Sequence, residues 1–66
     1  MKITKDDVGS VFMVRGGGKV TIRYVDEDDF NPVQAYDEAG TKWHYELNGL
    51  RQHGTTSPMD LIEKTS

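Results

Sequence analysis

Hydrophobic and polar residues alternate along two segments of the chain, which is the pattern of a strand with one buried face. In segment 19–25 the residues expected to point inward are Val20, Ile22 and Tyr24. In segment 41–47 they are Trp43, Tyr45 and Leu47. Segments 10–15 and 33–36 are short and rich in strand-forming residues, and segment 59–63 follows Pro58 as a last strand. The pattern therefore predicts about five strands.

Glycine-containing turns separate these segments. The run Gly16–Gly18 predicts a tight reversal that joins the first two strands into a hairpin. Asp37–Gly40 and Asn48-Gly49 are further turn signals. Thr4, followed by two acidic residues, predicts a short helical turn that ends at Gly9. Short strands joined by tight turns favour an all-β fold, and closure of the sheet into a barrel would remove its exposed edges.

Length and composition narrow the possible functions. The 66 residues allow one domain, 1–66, in which residues 63–66 are expected to fray because they have nothing to pack against. The absence of cysteine excludes disulfide scaffolds and cysteine-based zinc or redox chemistry. No stretch approaches the about 20 apolar residues of a membrane span. We therefore expect a cytoplasmic protein without a membrane partner.

Charge is unevenly distributed along the chain. The net charge is −3, from 11 acidic and 8 basic residues. Between Tyr24 and Thr41 there is no Lys or Arg, and the acidic residues are Asp26, Glu27, Asp28, Asp29, Asp37 and Glu38. That segment carries a charge of −6 and the remainder +3. It predicts a solvated acidic loop, or a face that attracts a basic partner or imitates a nucleic-acid backbone.

No catalytic or metal-binding pattern is present in the sequence. His44 and His53 are isolated and do not make the three or four ligands of a zinc site. The acidic run 26–29 departs from a calcium loop at Phe30 and Asn31. The run 16–19 lacks the spacing and the following helix of a phosphate-binding loop. We therefore predict a protein that is not an enzyme and needs no metal or cofactor.

Several short motifs resemble a known class of proteins. Asp7-Val8-Gly9 and the stretch from Val14 to Ile22 resemble the opening of small SH3-like barrel proteins, especially uncharacterised ones of bacteriophages and prophages. The likeness continues through 32–33, Gly40, 43–45, 48–49 and 57–62, and so covers nearly the whole chain. It implies an SH3-like barrel of antiparallel strands, a phage origin and a location in the bacterial cytoplasm. The chain departs from the pattern where Leu50 precedes Arg51.

Two hypotheses of function follow. The first is a non-catalytic module that engages an unidentified protein through an acidic and aromatic surface. Its residues are Asp26, Glu27, Asp28, Asp29, Phe30, Tyr36 and Trp43. Phe30 is either an exposed anchor or a lid over one end of the barrel.

The alternative is binding of a single-stranded nucleic acid or a nucleotide on the strand face, with aromatic rings stacking on bases. Its residues are Arg15, Lys19, Lys42, Tyr45 and Arg51. This hypothesis requires an exposed Trp43 or Tyr45. A third possibility is an assembly component whose edge strand pairs with a partner, and a monomer or a weak homodimer is expected.

Overall fold

The structure is a computed structural model, which describes residues 1–65. Within that range the chain forms one antiparallel sheet with the strand order β4-β3-β2-β1-β5. The strands are β1 (Val11–Val14), β2 (Lys19–Val25), β3 (Val33–Asp37), β4 (Lys42–Tyr45) and β5 (Leu61–Lys64). A 3₁₀ turn at Lys5–Asp7 precedes β1. The predicted all-β fold with an N-terminal helical turn is confirmed.

One face of the sheet holds the hydrophobic core. The buried residues are Ile3, Phe12, Val14, Val20, Ile22, Val25, Val33, Ala35, Tyr45 and Leu61. Trp43 and Leu47 are half-buried and pack against this cluster, together with Met59. The predicted inward face of segment 41–47 is therefore confirmed, because a two-residue period fixes which side chains share a face.

The predicted alternation fails at the end of β2. The register between β2 and β3 shifts between Ile22 and Tyr24, so that Ile22 pairs with Ala35 and Tyr24 with Gln34. This β-bulge adds one residue to β2 and exchanges the two faces of the strand beyond it. Tyr24 is 38% exposed instead of buried, and Val25, expected on the outer face, is in the core.

The sheet is not closed by strand pairing in residues 1–65, because β4 and β5 lie at its two edges. Backbone hydrogen bonds nevertheless join segments beyond these edges. The amide of Ile3 donates to the carbonyl of Leu47 at 2.7 Å, and the amide of Leu61 donates to the carbonyl of Gly49 at 2.9 Å. These bonds connect the chain after β4 with the N-terminus and with β5.

The C-terminal strand lies further along the chain than predicted. It begins at Leu61 instead of Met59 and ends at Lys64. Within the segment expected to fray, Glu63 pairs with Met13, and the amide of Thr65 donates a 2.8 Å hydrogen bond to the carbonyl of Val11. Ser66, the last residue of the expected frayed segment, lies outside the described residues.

The N-terminal turn has the predicted cap. The Thr4 side chain accepts from the amide of Asp6, and the Asp7 carboxylate accepts from the amide of Thr4 at 2.9 Å. Lys64 lies 3.0 Å from the same carboxylate, so the turn is also tied to β5. No helix among residues 1–65 has the length and apolar character required to cross a membrane.

Candidate functional site

Residues 26–31, between β2 and β3, form a loop that we call the acidic loop. Its own carboxylates fix its backbone. Asp26 Oδ1 accepts from the amide of Asp28 at 3.0 Å, and Asp29 Oδ1 accepts from the amide of Asn31 at 2.9 Å. Short polar side chains that bind amides two residues ahead stabilise turns. Two of the four acidic residues therefore have a structural role within the loop.

Tyr24 fastens this loop to the end of β2. Its hydroxyl lies 3.2 Å from Asp26 Oδ2 and 3.3 Å from Asp29 Oδ2, and its single proton is shared between them. Desolvation, followed by the negative charges of Asp26 and Asp29, raises the pKa of Tyr24 above 10.0, so the hydroxyl remains a donor at neutral pH. The contact exists because the β-bulge turns Tyr24 outward.

Phe30 projects from the acidic loop and is 96% exposed. The interpretation of Phe30 as a lid over the barrel is therefore wrong. Glu27 and Asp28, which precede it, are also exposed, and the Glu27 carboxylate lies 3.8 Å from Lys2. The result is an aromatic side chain presented to solvent by a hydrogen-bonded loop and accompanied by negative charge.

Two depressions flank Phe30. The first has a volume of about 410 Å³ and the second about 390 Å³. The first is lined by Phe30, Asn31, Pro32, His44, Tyr45, Glu46, Arg51, Gln52 and His53. The second is lined by Asp29, Phe30, Pro32, Glu46, Leu47 and Asn48. Glu46 and Pro32 line both, although neither was predicted as a site residue; only the outward position of Glu46 in the alternating pattern indicated it.

Tyr36 and Trp43, both predicted for the partner surface, do not share a face of the sheet. Trp43 pairs with Ala35, which is fully buried, so its side chain is on the core side. Tyr36 is the next residue after Ala35 and therefore points to the opposite side, where it is 38% exposed. The two rings therefore do not lie side by side on one face of the sheet.

The side chain of Trp43 makes polar and cation–π contacts with other residues of the chain. Its indole Nε1 donates to Asp37 Oδ2 at 2.9 Å, and the Arg51 guanidinium lies 4.7 Å from the ring centroid. Arg51 Nε also donates to the carbonyl of His44 at 3.4 Å. The indole bond, with the amide of Thr41, lowers the pKa of Asp37 below 3.8. Arg51 thus covers the ring that a base would stack on.

Of the residues of the nucleic-acid hypothesis, Arg15, Lys19 and Lys42 lie at the same end of the sheet, whereas Tyr45 ends β4 at the other end. Tyr45 is 1% exposed, so its ring is not accessible for stacking, and burial raises its pKa to about 12. Arg15 lies 3.6 Å from the buried carboxylate of Asp60. Lys19 and Lys42 are exposed, but they begin β2 and β4, at the end of the sheet opposite to the acidic loop.

Asp60 is a fully buried carboxylate that the sequence analysis did not identify. Its Oδ1 accepts from the amide of Arg51 at 2.9 Å, and its Oδ2 accepts from the amide of Ser57 at 2.7 Å. A buried charge is tolerated when hydrogen bonds satisfy it. Asp60 therefore organises the loop 51–57 and is a structural residue.

No set of three or more histidine, aspartate or glutamate side chains within residues 1–65 is placed to hold a metal ion. Searches of family models, of curated proteins and of solved structures found no match to the chain. The function is therefore argued from the geometry of the acidic loop and the surface next to it.

Proposed function

We propose that this protein is a non-catalytic binding module, a small SH3-like barrel of phage type, which engages a protein partner through the acidic loop and Phe30. The observation that carries the proposal is the 96% exposure of Phe30 on a loop fixed by its own carboxylates. Burial of a phenylalanine side chain is worth about 1.5–3 kcal/mol, and in the free protein this free energy is not gained. A partner that covers Phe30 would gain it.

The order within the acidic loop favours binding. Association is weakened by the entropy lost when mobile side chains and loops become ordered. Here the hydroxyl of Tyr24 and the carboxylates of Asp26 and Asp29 hold the loop before any partner arrives. The loop is therefore already ordered in the free protein, and less entropy is lost when a partner binds to it.

The barrel part of the proposal is supported by the connections beyond the sheet edges. A flat sheet would keep β4 and β5 far apart, because they are its outermost strands. Instead, residues 47–49 after β4 accept hydrogen bonds from Ile3 and from Leu61 at the start of β5. A strongly curved sheet, as in the SH3-like proteins that the sequence resembles, would bring these segments together, and the two hydrogen bonds support this part of the proposal.

The test uses binders selected from a random displayed peptide library against the folded protein. Phe30→Ala is compared with Ile62→Ala, which removes another exposed apolar side chain, 47% exposed, from strand β5, and Ile62 lines neither depression beside Phe30. We expect Phe30→Ala to raise the Kd about thirtyfold, as for an interface hot spot, and Ile62→Ala to leave it unchanged. Equal Kd values for wild type and Phe30→Ala would contradict the proposal.

The contribution of charge is tested with carboxylates that do not fix the loop. The double variant Glu27→Gln/Asp28→Asn keeps the hydrogen bonds of Asp26 and Asp29. It is expected to slow association and flatten its salt dependence, because exposed charges act mainly on the association rate. Glu38→Gln/Glu63→Gln is the control with the same change in net charge elsewhere.

The nucleic-acid alternative has its own test. An oligonucleotide that binds wild type saturably at near-physiological salt would favour that alternative.

A further inference from the structure

The smaller depression beside Phe30 combines apolar lining residues with negative charge. Phe30, Pro32 and Leu47 supply the apolar contacts. Asp29 from the acidic loop and Glu46 from the chain after β4 supply two carboxylates. Among the described residues that line it, none is basic. The depression is therefore both an apolar contact surface and a place of negative potential.

This combination selects among the possible occupants of the surface. A second copy of the chain docked through the same surface would bring two acidic loops together, and like charges at an interface disfavour association. Nucleic acids and anionic lipid surfaces are repelled for the same reason. A cationic segment of another protein is attracted and also has the apolar atoms needed to cover Phe30.

We infer that this surface takes a cationic protein segment whose apolar side chain packs on Phe30 and whose arginine enters the depression between Asp29 and Glu46. The inference rests on the proposed function and adds the chemistry of the partner. Glu46 becomes a binding residue, although it lies outside the acidic loop.

Arginine fits this depression better than lysine. A guanidinium group is planar, presents a fork of donors to carboxylates and stacks on aromatic rings, whereas an ammonium group is compact and strongly hydrated. Phe30 supplies the ring, and Asp29 and Glu46 supply the acceptors. The stem of an arginine side chain would lie against Leu47 and Pro32, since long cationic side chains bury their methylene groups.

The probe is a capped peptide, Arg-Arg-Leu-Arg-Arg, titrated into ¹⁵N-labelled protein at low salt. The expected result is a set of saturable amide shifts at Phe30 and at residues 46–48. Peptides with Lys in place of Arg should bind more weakly, and peptides with Glu in place of Arg should not bind. Replacement of Leu by Ser in the probe should also weaken binding, since it removes the apolar contact.

Glu46→Gln is the decisive variant, with Glu63→Gln as the charge-matched control on β5. Loss of one exposed ion pair should raise the Kd of the peptide about two- to fivefold, and the control should not change it. Equal effects of the two variants, shifts that map elsewhere, or no saturable shift at millimolar peptide would overturn the inference. If selected binders depend on Phe30 but not on Glu46, the inference fails alone; if they depend on neither residue, the proposed function fails as well.

Discussion

The hydroxyl of Tyr24 lies 3.3 Å from the Oδ2 atom of Asp29, five residues further along the chain. The same hydroxyl lies 3.2 Å from Asp26 Oδ2, so one tyrosine contacts both ends of the turn that presents Phe30. The shape of the exposed surface therefore depends on a side chain that belongs to the sheet. Loosening of this contact should alter the loop without unfolding the protein.

Tyr24→Phe tests this dependence. The variant keeps the ring and removes the donor, so the amides of Asp28 and Asn31 should exchange with solvent faster while the unfolding midpoint stays the same. Hydrogen exchange followed by NMR measures both local and global opening. Tyr36→Phe is the matched control, because Tyr36 has the same exposure of 38%. Equal exchange rates in the two variants would show that the Tyr24 hydroxyl does not hold the loop.

Alanine substitutions at Gly49 and Gly54 separate the energetic cost of overpacking from the cost of backbone strain. Both have positive φ, +88° and +78°. A Cβ at Gly49 would lie 2.7 Å from Met1 Sδ and 3.2 Å from Leu61 Cβ, whereas at Gly54 nothing lies within 4 Å. Each alanine variant should lose about 1–2 kcal/mol through the left-handed conformation.

Gly49→Ala should lose about 1–3 kcal/mol more than Gly54→Ala because of overpacking. Urea denaturation followed by Trp43 fluorescence gives both free energies of unfolding. If the two variants are equally stable, then the N-terminus and β5 move aside at no energetic cost, and the tight contact around Gly49 does not limit the fold.

Asp60→Asn should destabilise the protein by about 1–3 kcal/mol, since an amide leaves one of two buried donors without an acceptor. The amides affected are those of Arg51 and Ser57. Thermal unfolding measures the loss, and Glu63→Gln, an exposed neighbour, should leave the Tm unchanged. A variant Asp60→Asn as stable as wild type would show that the loop 51–57 is held by other contacts.

Stability should fall in acid because of Asp7. The amide of Thr4 first, and then Lys64, lower the pKa of Asp7 below 3.8. A carboxylate with a lowered folded-state pKa stabilises the protein above its unfolded value, and this contribution is lost as the pH falls through the folded value. The Asp7→Asn variant should therefore have a lower free energy of unfolding than wild type at neutral pH. The difference between the two proteins should become smaller below pH 3.8.

The pH series is made by urea denaturation at neutral and acidic pH, with Asp6→Asn as the control from the same turn. If the free energies of unfolding of wild type and Asp7→Asn change with pH in parallel, then Asp7 does not cause the loss of stability in acid. Asp37, whose pKa is also lowered, remains in both proteins and supplies a common background.

Much of the sheet was predictable because strands carry their own two-residue signal. Segment 41–47 was assigned the correct faces, and the hairpin around Gly17 follows from local turn preferences. The bulge before Tyr24 left no such signal, since an extra residue changes the pairing with β3 without changing the composition of β2. Asp60 was also missed, because its burial depends on amides that come from residues 51 and 57.

The candidate site was predictable in part. The acidic residues and Phe30 were found from composition alone, but the exposure of Phe30 depends on how the loop is hydrogen-bonded. Tyr36 and Trp43 were combined because both are aromatic, whereas strand pairing places them on opposite faces. The sequence did not indicate that Glu46 lies near the acidic loop, because this depends on where the end of β4 lies relative to the loop.

The bulge in β2 changes which residues of the strand face the core. Before it, even-numbered residues such as Val20 and Ile22 face the core; after it, odd-numbered Val25 does. Arg23 is the extra residue, and without it Ile22, Tyr24 and Val25 would alternate regularly against Ala35, Gln34 and Val33. Deletion of Arg23 would therefore keep Tyr24 outward, beside Asp26 and Asp29. The bulge thus acts as a spacer that absorbs one residue, and it lets a strand of seven residues present Tyr24 to the loop and Val25 to the core at the same time.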